Sequence, residues 1–138
     1  MATYLIDFYK DRNGYSQPVE YIRDLKAKAV TVKSARIELN RINAYLIALG
    51  ESGTRLGEDF VKYIGDDIWE LRPRSTRLFF ALRRGNTFII LHYYVKKSQK
   101  MNVKEFNIAK DKLRDFDERE KNNEIRNRAH NSMGKSTS

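Results

Sequence analysis

Three β-prone runs, Ile68 to Arg72, Thr76 to Arg83 and Thr87 to Lys96, follow one another with only short breaks between them. The last break, Arg84-Gly85-Asn86, is a hairpin turn signal, so the runs read as an antiparallel meander. A sheet of this kind needs helices against it. The chain supplies them. Ala35, Leu39, Ile42, Leu46 and Leu49 recur at spacings of three and four, one stripe of an α-helix. Gly50 stands where a helix C-cap glycine would. Upstream, Ser16 just before Pro18 marks the start of a shorter helix, about Pro18 to Leu25, with Val19, Ile22 and Leu25 on one face. Before it, Tyr4 to Tyr9 reads as a strand that stops at the turn cluster Lys10-Asp11-Arg12-Asn13-Gly14.

The segment punctuated by Gly50, Gly53, Gly57 and Gly65 reads as a loop. After the meander, Asn102 followed by Glu105 reads as a capping box. Phe106, Ala109, Leu113 and Phe116 then predict a third helix from about Val103 to Asp117. Beyond Glu118 periodicity fades, so residues 1–118 read as one domain and 119–138 as a polar tail, frayed from Ser132 to Ser138. The expected architecture is α+β with the order β-α-α-β-β-β-α, a curved antiparallel sheet packed on a helical hairpin, and a C-terminal helix.

Side chains alternate between the faces of a strand. Trp69, Leu71, Leu78, Phe80, Leu82, Ile89, Leu91 and Val95 are expected against the helices. That sets Glu70, Arg72, Arg77, Phe79, His92, Tyr94 and Lys96 on the opposite, polar face, with Arg72 and Arg77 each facing solvent. Lys97, Lys100 and Lys104 follow closely. The whole 138-residue chain carries a formal charge of +9, which points to an anionic partner. Cations that bind phosphate, interleaved with aromatic rings that stack on bases, suit single-stranded nucleic acid.

Composition removes other chemistries. There is no cysteine, so no disulfide scaffold, thiolate zinc site or cysteine nucleophile is expected. Two histidines, His92 and His130, are too few for a multi-histidine metal site. No apolar run approaches the ~20 residues of a membrane span, and the N-terminus lacks the pattern of a signal peptide, so the expected location is the cytoplasm. Neither a metal nor a cofactor is expected.

The motifs Ile68-Trp69-Glu70-Leu71-Arg72-Pro73, Arg77-Leu78-Phe79-Phe80 and Leu91-His92-Tyr93-Tyr94-Val95-Lys96-Lys97-Ser98-Gln99-Lys100, followed by Glu105 and Ala109, resemble the HigB-type toxins of the RelE/ParE superfamily, phage-derived relatives included. The resemblance covers about Tyr4 to Phe116. It implies the toxin of a type II toxin–antitoxin pair, a ribosome-dependent mRNA endoribonuclease. The implied partners are a helix-turn-helix antitoxin and mRNA on the ribosome, with oligomers formed only through the antitoxin. Arg72, Arg77, Lys96, Lys97 and Lys100 fall on matching motif positions.

Chemistry then assigns roles for metal-free cleavage by 2′-OH attack on the phosphate. Arg72 and Arg77 suit the phosphate charge. Lys96 or Lys97 suits the base, and His92 or Tyr94 the acid. Lys100, Lys104, Phe79 and Glu70 complete the expected RNA contacts. The alternatives are a ParE-like inhibitor of DNA gyrase or a basic nucleic-acid-binding module without catalysis.

Overall fold

The computed structural model describes residues 3–100 and 102–136. In chain order the elements are β1 (Leu5–Phe8), α1 (Gln17–Ala29), α2 (Lys33–Ser52), a 3₁₀ turn (Gly53–Leu56), β2 (Val61–Gly65), β3 (Ile68–Leu71), β4 (Thr76–Arg83), β5 (Thr87–Val95) and α3 (Val103–Ser136). One five-stranded sheet has the order β1-β5-β4-β3-β2. The sheet is mixed, not antiparallel throughout, because β1 runs parallel to β5 while every other pair is antiparallel.

The helical hairpin forms as its apolar spacing predicts. Ser16 caps α1, its hydroxyl accepting from the Val19 amide, and Pro18 sits in the first turn. Along α2, Ala35, Ile42 and Leu49 are buried and Leu39 and Leu46 half-buried against Leu71, Leu78, Phe80, Phe88 and Ile90. Gly50 does not end this helix. It lies inside the last turn, where its carbonyl accepts from the amides of Thr3 and Tyr4 as the chain enters β1. The cap is Gly53, at φ +63°, and a Cβ there would come within 2.8 Å of the Tyr4 ring. Only glycine fits both demands.

Three further differences from the sequence reading shape the site. First, the glycine-punctuated segment contains a strand. β2 pairs with β3 through a turn in which Asp66 and Asp67 both take positive φ, 52° and 67°. It is an edge strand with Lys62 and Tyr63 exposed, so it lacks the apolar alternation that would announce it. Second, β5 is bulged. Phe79 stands opposite His92 and Phe80 opposite Ile90, which leaves Leu91 as the extra residue. The bulge breaks period two, so Ile89, Leu91 and His92 all lie on the side away from the hairpin.

Third, that side is not bare. α3 covers it: Phe106, Ala109 and Leu113 pack on Phe79, Ala81, Ile89, Leu91 and Tyr94. The sheet is therefore sandwiched, α1 and α2 on one face and α3 on the other.

α3 also runs past Phe116, where its apolar stripe stops, to Ser136. Arg84 pairs with Glu120, and Arg119 pairs with Asp115 and donates to the Lys10 carbonyl. Residues 121–131 are exposed throughout. Residues 137–138 of the expected tail lie outside the described residues. Deleting 122–138 keeps every one of these contacts, so the melting temperature is expected to move by less than about 2 °C in calorimetry, as for surface changes in general. A drop several times larger would show that the tail packs on the domain.

Candidate functional site

Where β2, β3 and β5 end together, a cleft of about 240 Å³ opens, lined by Lys62, Tyr63, Ile64, Glu70, Arg72, Tyr94, Lys96 and Gln99. Its floor is built by strand pairing. Glu70 stands opposite Phe79 on β4 and opposite Lys62 on β2, and Arg77 stands opposite Tyr94. Arg77 and Tyr94 thus lie two residues along from the Glu70 row and on the same face, at the level of Arg72, which follows two residues after Glu70.

Glu70 is the hub. It is 5% exposed, and one carboxylate oxygen accepts from the Tyr94 hydroxyl at 2.6 Å. The other lies 3.6 Å from Arg72 Nε and 3.7 Å from Arg77 Nε. A buried carboxylate needs such partners, because desolvation alone would disfavour its charge. Arg72 also donates to the Glu58 carbonyl at 3.0 Å, which steadies its guanidinium at the rim.

Arg77 is held by carbonyls. Its Nη1 donates to Thr76 at 3.2 Å and to Arg74, whose backbone takes a left-handed φ of 54°. Its Nε is buried without a hydrogen-bond partner among the described residues. Burial lowers the Arg77 pKa, and Glu70 opposes the shift. Burial, then the bond to Glu70, raises the Tyr94 pKa, so the phenol stays protonated.

The structure brings together Glu70, Arg72, Arg77, Tyr94 and Lys96. Lys97 and Lys100 line an adjoining hollow of about 310 Å³ that shares Tyr94 and Lys96 with the cleft. Lys104 is exposed on the first turn of α3 and lines neither.

Three expectations are corrected. Arg77 does not face solvent; its side chain is 12% exposed, against 24% for Arg72. Phe79 offers no stacking face, because it is buried between Tyr94 and Phe106. His92 is not in the cleft. It is buried under α3 with both ring nitrogens engaged, Nε2 by Glu105 and Nδ1 by Lys112.

Lys62, Tyr63, Ile64 and Gln99 are the lining residues that sequence reasoning misses, the first three because β2 reads as loop. Among the described residues, no group of three or more His, Asp or Glu side chains is placed to hold a metal ion. A larger hollow, about 660 Å³, lies away from this chemistry between the Asp66–Asp67 turn and α3. Its charges are paired across it, Arg83 with Asp67 and Asp117, Lys110 with Asp66.

Residues 20–114, about two-thirds of the chain and a span holding every residue of the cleft, match the family model described as phage derived protein Gp49-like (DUF891). The chain belongs to this family, which is a RelE/ParE-like, toxin-type family. Membership points to a toxin-like function of the toxin–antitoxin type, with an antitoxin as partner. No curated protein matches the chain. Among the described residues, no helix is long and apolar enough to cross a membrane.

Proposed function

We infer that this chain is a HigB-type toxin that cuts mRNA on the ribosome by metal-free attack of the ribose 2′-OH on the adjacent phosphate. One observation carries the reading: a carboxylate, a protonated phenol and one arginine meet on the floor of a cleft whose rim carries a second arginine and lysines. A plain binding surface needs the cations but not the acid–base pair.

In this reading Arg72, with Lys62 and Lys96, meets the phosphate, and Arg77 supports the charge from below. Among the described residues Glu70 is the one carboxylate lining the cleft, which favours it over Lys96 or Lys97 as base. Glu70 takes the 2′-OH proton and Tyr94 gives its own to the leaving 5′-oxygen. The 2.6 Å bond between them then returns a proton from Glu70 to Tyr94 and resets the site. Lys97 and Lys100 hold the flanking backbone.

Primer extension on ribosomes programmed with a defined mRNA is expected to show cuts that need both ribosome and toxin. Relaxed or linear plasmid in a gyrase assay, with no RNA cuts, would overturn the reading in favour of gyrase inhibition. Binding with neither effect would reduce the chain to a nucleic-acid-binding module.

A further inference from the structure

Outside the cleft, the seam between α3 and β5 holds a second set of reactive groups. Lys112 Nζ lies 2.8 Å from His92 Nδ1, and the other ring nitrogen, Nε2, is bonded to Glu105. A nucleophile in reach of a base, itself held by a third group, is the general arrangement of nucleophilic catalysis. The carboxylate fixes the tautomer: Nε2 carries the proton and donates to Glu105, so Nδ1 presents its lone pair to the amine.

The surroundings favour a free amine. From α1, Gln17 offers only a carboxamide oxygen at 3.5 Å, because that side chain is already committed to the Tyr93 backbone. Glu105, on the same helix, and Asp11, before α1, are the carboxylates that act on Lys112, and neither forms an ion pair with it. Burial therefore dominates and pushes the Lys112 pKa down to about 8, which the two carboxylates partly oppose. The same burial keeps His92 neutral, its pKa lowered despite Glu105. Lys112 is half-buried, not sealed.

We propose that Lys112 is an acylation site, at which His92 acts as base and Glu105 as orienter, and that its acyl donor is a small acyl phosphate. The neutral amine attacks the carbonyl carbon. A C–N bond forms, the C–O bond to phosphorus breaks, and inorganic phosphate leaves. The surplus amine proton passes to His92 Nδ1 and from there to solvent. The product is an amide without charge in the seam that joins α3 to β5. This inference stands apart from the proposed nuclease activity and does not need it.

The test is competitive trace labelling of the full chain with acetic anhydride between pH 6.5 and 10.5, read by peptide mass spectrometry. Lys121, exposed on the same helix, is the internal reference. At pH 7.5 Lys112 is expected to label about tenfold faster than Lys121, since burial lowers its pKa and His92 takes up its proton. Its rate should level off above about pH 8. In His92→Gln, with its fold checked by circular dichroism, Lys112 should keep the pH profile that burial sets but label several-fold more slowly for want of the base.

With acetyl phosphate as donor, Lys112 should be the first lysine acetylated. Labelling of Lys112 no faster than Lys121, or with the same pH profile, would overturn the proposal. So would a Lys112 rate unchanged by the loss of His92. The pH profile of the unaltered protein decides the matter if the variant does not fold.

Discussion

Arg72→Ala is expected to lower ribosome-dependent RNA cleavage by about 10²–10³-fold, the usual loss when one preorganised charge donor at a reacting phosphate is removed. Arg72 is the arginine a substrate can reach. Its side chain is 24% exposed at the rim, and its bonds are to a backbone carbonyl and, at 3.6 Å, to Glu70. Truncation opens no cavity but takes one of two guanidiniums from Glu70, so the melting temperature should fall too, by less than in Arg77→Ala because Arg72 is the more exposed partner. Arg72→Lys should recover only part of the rate, because an ammonium keeps the charge but loses the planar fork. Primer extension at matched expression measures all three proteins. Full cleavage by Arg72→Ala would remove this cleft from consideration.

Arg77→Ala should act more strongly on stability. Glu70 is buried, and this substitution would leave it with one guanidinium at 3.6 Å and the Tyr94 hydroxyl. Removing one partner of a buried ion pair costs about 3–5 kcal/mol. Urea denaturation should register a loss of this size, and Arg77→Met combined with Glu70→Gln should recover much of it, since no buried charge is then left unpaired. An Arg77→Ala protein as stable as the parent would show that Glu70 is already satisfied by Arg72 and Tyr94. The two arginines, Arg72 just past the end of β3 and Arg77 on β4, thus separate into a rim residue and a floor residue.

That separation was beyond the reach of period-two reasoning. Alternation placed Glu70, Arg72, Arg77 and Tyr94 on one face, and they do meet there. What it could not weigh was the cover. The stripe Phe106, Ala109, Leu113 and Phe116 was plain as a helix face, yet nothing local says which sheet surface it seeks. Once α3 sits on the polar side, Phe79 and His92 become interior. The bulge at Leu91 is equally silent: one extra residue in an unbroken apolar run leaves no mark. β2 was hidden for the opposite reason, being an exposed edge strand among glycines, and Lys62 was hidden with it. Caps and stripes were readable because their chemistry is local: Ser16 before Pro18, and the α2 series ending at Leu49.

The parallel pairing of β1 with β5 also sets a timetable. Phe8 finds its partner at Ile90, so the first strand waits for the last one to be made. At roughly 5–20 residues per second, that wait lasts several seconds of synthesis. The hairpin of α1 and α2 closes early from local contacts, but Tyr94, Lys96 and the α3 residues that bury the cleft floor arrive only afterwards. A chain still emerging from its own ribosome therefore carries Glu70 and the arginines without the strand that completes them. The cleft assembles only after β5 and the start of α3 have been made.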